Sequence, residues 1–231
     1  MKSLFLSYDV KVSGAYIIRL KGHELSESLA KRCADSCDKV GMKYQYWDAF
    51  DGTKDGINPP ENLNPFMKMV KIADHFLTRS EVACALSHIS LWAKCVEDDV
   101  PLVVLEHDAI MVAPYYEHTM YNSIAYLGCN EQVKQNWKVL PTPPHGSMGA
   151  NYHFMCRAHS YSIDPAVAKN MLAHVLKYGI NSSLDCMLRA DIFPIHQMGV
   201  YAYDEGNRAN TTILNRAGTD RSTIRNDNLE R

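Results

Sequence analysis

Residues 15–20 (AYIIRL) form a short apolar run, and over residues 21–40 apolar and small side chains recur at helical spacing until Gly41. The pattern predicts a strand and then a helix. Residues 43–50 (KYQYWDAF) alternate aromatic and polar side chains as a half-buried strand does, and Asp51-Gly52 closes them in a turn. A βαβ unit therefore opens the chain. Residues 51–77 carry Pro59-Pro60 and Pro65 with little periodicity, which predicts a long surface loop of the length usually kept for function.

A strong helix is predicted from Thr78, because Thr78 and Glu81 stand in the S/T-x-x-E capping arrangement and Val82, Leu86, Ile89, Leu91, Trp92 and Val96 supply an apolar face. Glu97, Asp98 and Asp99 close it. Residues 101–105 (PLVVL) are wholly apolar and too short for a helix, so they read as a central parallel strand buried on both faces. Residues 121–127, 137–140 and 152–163 are expected to add strands. Asp164-Pro165 then supplies an N-cap followed by proline at the first helical position, for a helix reaching about Tyr178 and stopped by Gly179. Asn181 is expected to cap a short helix through Arg189, and residues 199–203 (GVYAY) read as the last strand. The alternation of β and α elements predicts an α/β sandwich around a mostly parallel sheet. Residues 1–203 read as one domain, and the polar residues 204–231 as a segment that is disordered or orders over a ligand.

A chain of 231 residues can bury one sizeable core. With 24 Lys+Arg against 26 Asp+Glu, the net charge of −2 removes the global pull expected of a non-specific nucleic-acid binder. No run reaches membrane-spanning length, and the first residues carry Asp9 within their apolar stretch without a small-residue cleavage site, so a cytoplasmic, soluble protein is expected. The seven cysteines include no CxxC pair and read as reduced, buried thiols. Cys33 and Cys37 are four residues apart but lack a second pair of metal ligands.

Ligands of open α/β sheets bind beyond the carboxyl ends of the strands, which draws attention to Glu106-His107-Asp108 after the buried run. Two carboxylates two residues apart on an extended backbone point the same way and can hold a hard divalent cation, Mn²⁺ or Mg²⁺, with positions left open for a diphosphate. Such a cation stabilises a departing nucleoside diphosphate as a Lewis acid. His107 faces the other way and reads as a neighbour of the site or as a third ligand. The bland alternative is a solvated acidic loop.

The run over residues 77–111 (LTRSEVACALSHISLWAKCVEDDVPLVVLEHDAIM) resembles the signature of the family 25 glycosyltransferases, which include lipooligosaccharide and collagen galactosyltransferases. Glu81, Cys84, Ser87, His88 and Trp92 match its E-x-x-C-x-x-S-H-x-x-x-W block, and Glu106 and Asp108 match the outer acids of its E-D-D triplet, with His107 in the middle place. YIIRL and YWDAFDG are similar to the family's first two strands and its A-x-x-G turn, although Ser26 and Glu27 stand near the usual arginine pair. Ser183-Leu184-Asp185 lies where the family has P-V-D, and residues 219–224 look like its C-terminal S-x-I segment.

The resemblance implies a GT-A-like fold and transfer of galactose or a related sugar from a UDP-sugar, with inversion, to an acceptor hydroxyl on a glycan, a protein or a hydroxymethylated DNA base. It implies Asp185 as the catalytic base, Glu106 and Asp108 as metal ligands, and Ile18, Asp48, Glu81, Ser87, His88, Glu106 and Ser222 as donor contacts. Each has a structural alternative: Glu81 as half of a capping box, Ser87 and His88 as packed polar residues, Cys84 as a small buried apolar group, Asp185 as a helix N-terminal acid. A nucleotide-sugar-binding module without catalysis is the competing function, and a metal-dependent phosphoesterase lacks a second ligand cluster.

Overall fold

The structure, a computed structural model, describes residues 9–53, 56–61, 63–73, 77–130, 135–136, 155 and 157–204. A short strand β1 (Val10–Lys11) precedes the predicted opening unit: β2 (Ala15–Arg19), α1 (Glu24–Val40) and β3 (Tyr44–Asp48). Helix α1 starts where the His23 side chain accepts from the Ser26 amide, and it ends at Gly41. Leu29, Ala30, Cys33, Ala34 and Cys37 recur at helical spacing and are the face it buries.

The loop that follows contains a 3-10 turn, Pro65–Met69, which seats the buried Met67. Helix α2 (Arg79–Asp98) begins with the predicted capping box, the Glu81 amide donating to Thr78 Oγ1 at 3.2 Å and the Thr78 amide to Glu81 Oε2 at 2.8 Å. It is buried beyond the expected stripe, because Ala83, Ala85, Ser87, His88 and Ser90 are covered as well. Strand β4 (Leu102–Glu106) is fully buried over its apolar residues and leads through a two-residue turn into β5 (Ala109–Met111). Then come β6 (Glu117–His118), β7 (Ile124–Asn130), β8 (Gln135–Asn136) and β9 (Ser160–Ile163). Helix α3 (Pro165–Tyr178) is capped by Asp164, whose carboxylate accepts from the Val167 amide at 2.9 Å. The one-turn α4 (Leu184–Met187) and β10 (Ile195–Asp204) complete the fold.

The main sheet runs β3-β2-β4-β9-β7-β10-β5, with β8 also against β7. The expected mostly parallel sheet is corrected to a mixed one. β2 is parallel to β3 and β4, and β7 to β10, whereas β9 is antiparallel to both β4 and β7, and β5 to β10. Parallel neighbours need a long crossover, usually helical. Among the described residues no helix lies between β4 and β9, so nothing forces β9 into the direction of β4. Period-two alternation divides the core: Tyr16, Ile18, Leu102, Val104, Tyr126 and Tyr161 pack on the side of α2 and α3, and Ala15, Ile17, Val103, Leu105 and Leu127 on the side of α1.

Several boundaries move, and the strand expected over 121–127 lies at Ile124–Asn130. Of the strand expected over 152–163, Ser160–Ile163 is extended, and Arg157, with φ 59°, breaks the extended backbone before it; residues 152–154 and 156 lie outside the described residues. The helix expected from Asn181 starts at Leu184, after Ser183, and makes one turn, with Leu184, Met187 and Leu188 buried in the core. The last strand begins earlier, at Ile195, and its pairing with β7 shifts register between Gln197 and Ala202. The strand expected over 137–140, and the segment 205–231 with Ser222, lie outside the described residues. Among the described residues no helix is long and apolar enough to cross a membrane. Cys33, Cys37, Cys84, Cys95 and Cys186 are free thiols.

Candidate active site

The carboxyl ends of the parallel pair β2 and β4 open into a cleft. Ile18, Arg19 and Leu20 form one wall and Glu106, His107 and Asp108 another. Helix α2 closes it with Ser80, Ala83, Cys84, Ser87 and His88, and Ala49, Phe50, Gly52 and Thr53 reach over from the end of β3. The alternation that points Val104 toward α2 also points Glu106 there, two residues on.

Strand β4 ends at Glu106, and His107 and Asp108 form a turn, so the two acids do not converge as neighbours on an extended strand. The turn brings both to the cleft all the same. Burial pushes the Glu106 carboxyl up to about 7, with the negative charge of Asp185 adding to the effect. Burial and then the charge of Glu106 push Asp108 up to about 6. Asp108 Oδ1 is buried without a hydrogen bond. His107 lines the cleft with the acids, and its Nδ1 lies 2.9 Å from Ser26 Oγ, which also accepts from the Leu20 amide at 2.9 Å. That contact ties the turn to the start of α1.

His88 is held from behind. Its Nδ1 lies 2.9 Å from the Tyr161 hydroxyl, and Trp92 Nε1 donates to the same hydroxyl at 2.9 Å. Its Nε2 faces Glu106 Oε1 at 3.4 Å. Burial lowers the imidazole to about 3 and keeps it neutral. Cys84, one helical turn before His88, brings its sulfur into the same group, and the ligand atoms of Cys84, His88 and Glu106 all lie within 4.8 Å of one another. The sequence reading assigned Cys84 only bulk; its i, i+4 relation to His88 was the signal that it joins the site.

Of the residues singled out from the sequence, Ile18, Ser87, His88, Glu106 and Asp108 line the cleft. Ser87 is also occupied structurally: its hydroxyl donates to the Ala83 carbonyl at 2.7 Å and accepts from the Phe50 amide at 2.9 Å, fastening the segment after β3 to α2. Glu81 is buried in the capping box. Asp48 sits at the end of β3 against Arg19 Nε at 3.3 Å and Lys21 Nζ at 3.9 Å. Asp185 accepts from the Arg157 amide at 3.0 Å and the Ala158 amide at 3.2 Å, holding the approach to β9. Burial raises its carboxyl against those two hydrogen bonds, and its charge reaches both Glu106 and His88.

Gly52, the last residue of the A-x-x-G turn, has a steric reason. A Cβ placed there would lie 2.5 Å from the Arg79 carbonyl oxygen and 2.8 Å from the Ser80 amide nitrogen. The turn thus lies directly on the first residues of α2, and that close approach forms one edge of the cleft.

The family model of glycosyltransferase family 25 (LPS biosynthesis protein) matches residues 13–188, a span that includes every described residue of the cleft. No curated protein matches the chain.

Proposed function

Because the chain belongs to glycosyltransferase family 25, whose activity is glycosyl transfer, we propose that it moves galactose or a related sugar from a UDP-sugar to an acceptor hydroxyl in this cleft. The observation that carries the reading is the placement of Glu106 and Asp108 together at the carboxyl end of β4, where α/β sheets bind their ligands. A GT-A-like arrangement follows, with the nucleotide lying over the ends of β2 and β4 near Ile18.

The acids fit a divalent cation. Asp108 Oδ1 is buried with no hydrogen bond, both groups offer hard oxygen donors, and each is made harder to ionise by burial and neighbouring negative charge, which a cation would relieve. Glu106 and Asp108 would hold Mn²⁺ or Mg²⁺, which when bound supplies Lewis-acid stabilisation of the departing diphosphate.

The rest of the step falls to the chain. The acceptor oxygen forms a bond to the anomeric carbon as the bond from that carbon to the diphosphate breaks on the opposite face, which inverts the centre. The hydroxyl proton passes to Asp185, whose carboxylate keeps lone pairs beyond the two that its backbone hydrogen bonds use. Arg19 and Thr53 line the cleft and would meet the nucleotide in this reading. An acceptor hydroxyl on a glycan agrees with the family's description; one on a protein or on a hydroxymethylated DNA base presents the same chemistry.

The test is consumption of a panel of UDP-sugars with Mn²⁺ and with a chelator, repeated for Asp108→Asn. Turnover should need the cation and should fall by about 10²-fold or more in the variant, since a lost Lewis-acid contact removes several kcal/mol of transition-state stabilisation. Normal turnover in Asp108→Asn with an intact fold sinks the assignment.

A further inference from the structure

We propose that Cys84 Sγ, His88 Nε2 and a Glu106 carboxylate oxygen form a site for a zinc-class divalent cation, which shares Glu106 with the all-oxygen pair of Glu106 and Asp108 but takes nitrogen and sulfur in place of Asp108. Three observations carry it. The first is convergence: the ligand atoms lie within 4.8 Å of one another, two from successive turns of α2 and one from the end of β4. His88 Nε2 and Glu106 Oε1 are already 3.4 Å apart. Two ligands, each about 2.05 Å from a tetrahedral zinc, lie about 3.4 Å from one another.

The second is an orphaned atom. His88 is 1% exposed, and its Nε2 makes no hydrogen bond although it is aimed at Glu106. A buried nitrogen without a partner costs free energy unless something fills the place. The third is the support behind the ring. His88 Nδ1 meets the Tyr161 hydroxyl, which Trp92 fixes in turn, and a metal-ligating histidine characteristically gives its second nitrogen such an outer partner. With Nδ1–H donated to Tyr161 oxygen, the Nε2 lone pair is free for the cation.

The chemistry of the ligands selects the ion. A sulfur, an imidazole nitrogen and one carboxylate oxygen suit Zn²⁺ and Co²⁺ rather than Mg²⁺ or Ca²⁺. All three residues line the cleft, so a fourth position is open to water or to a ligand entering from it. Both ligand-bearing elements are rigid: α2 is anchored by its capping box, and β4 is paired on both sides.

The experiment is a Co²⁺ titration of the full chain followed by absorption spectroscopy, which needs no sugar and is therefore independent of the transferase reading. The wild type should bind Co²⁺ with a thiolate-to-cobalt charge-transfer band and the intense visible bands of tetrahedral coordination, both bleached by Zn²⁺. Cys84→Ser should lose the charge-transfer band, and Asp108→Asn should keep it. Cys33, Cys37, Cys95 and Cys186 serve as internal controls, since all remain in the Cys84→Ser chain. Because that exchange is nearly isosteric, a melting curve will show the variant folded. A charge-transfer band that survives Cys84→Ser, or an octahedral cobalt spectrum without thiolate absorption in the wild type, overturns the site.

Discussion

Replacing Gly52 with alanine tests whether the close approach of the β3 turn to α2 is real, and the sign of the result decides. No positive φ is needed at Gly52, so the backbone would accept alanine, and only space forbids it. In the unfolded chain the exchange removes conformational freedom and by itself stabilises the fold by about 0.4–1 kcal/mol. Against this, the new methyl would lie 2.5 Å from the Arg79 carbonyl oxygen and 2.6 Å from the Arg79 carbonyl carbon. Carbon contacts are comfortable at about 3.5–4.0 Å, so roughly an ångström must be found.

Neither side yields easily. Arg79 begins a helix locked by its capping box, and the turn is held by the Phe50 amide on Ser87 Oγ at 2.9 Å and by paired hydrogen bonds between Asp51 and Asn58. Overpacking of this kind costs about 1–3 kcal/mol. With a shift of this size the cost lies toward the upper end, and the net loss reaches about 2.6 kcal/mol, which for a domain of this size lowers the melting temperature by up to about 10 °C. Urea denaturation should show a lower midpoint with an unchanged slope, and donor affinity should weaken because Gly52 and Thr53 edge the cleft. A Gly52→Ala chain that melts at or above the wild-type temperature refutes the reasoning.

Tyr161→Phe should destabilise the fold by about 2–4 kcal/mol in urea titrations, because it strands two buried groups, Trp92 Nε1 and His88 Nδ1; a change under about 0.5 kcal/mol would mean that the hydroxyl does not join them. Asp185→Asn turns an amide nitrogen toward one of two backbone N–H donors and should cost about 1–3 kcal/mol. It should also lower kcat by about 10²-fold or more if Asp185 is the base, so a destabilised variant with full kcat removes that role. His118 sits away from the cleft, with Ser162 Oγ at 2.8 Å, Ser123 Oγ at 2.9 Å and Asp164 at 3.7 Å, and burial lowers its pKa despite the nearby carboxylate. Below about pH 6.5 the unfolded chain takes up a proton that the folded chain resists, so this histidine's contribution is lost as pH falls. The stability advantage of the wild type over His118→Gln should therefore shrink between about pH 7.5 and 5, and an advantage that grows reverses the sign.

What the sequence determined was local. The capping box of α2, the Asp164-Pro165 start of α3, the buried run of β4 and the βαβ opening all depend on residues within a turn or two of each other, and all stand where the pattern put them. The signature block over residues 77–111 likewise brought Ser87, His88, Glu106 and Asp108 into view, because its helix, strand and turn are consecutive and fold onto one cleft. Strand direction was beyond it. The direction of β9 depends on the path of the chain from residue 107 to 159, where no described helical crossover imposes parallel pairing, and the mixed sheet follows. The same holds for roles that require partners distant in sequence. Tyr161 reaches His88 across 73 positions, Asp185 clamps amides 27 and 28 positions back, and Gly52 needs its bare backbone only because Arg79 is pressed against it. Periodicity and caps are settled by neighbours along the chain, whereas the orientation of a side chain in a site is settled by whatever packs behind it, and that is fixed only when the sheet closes.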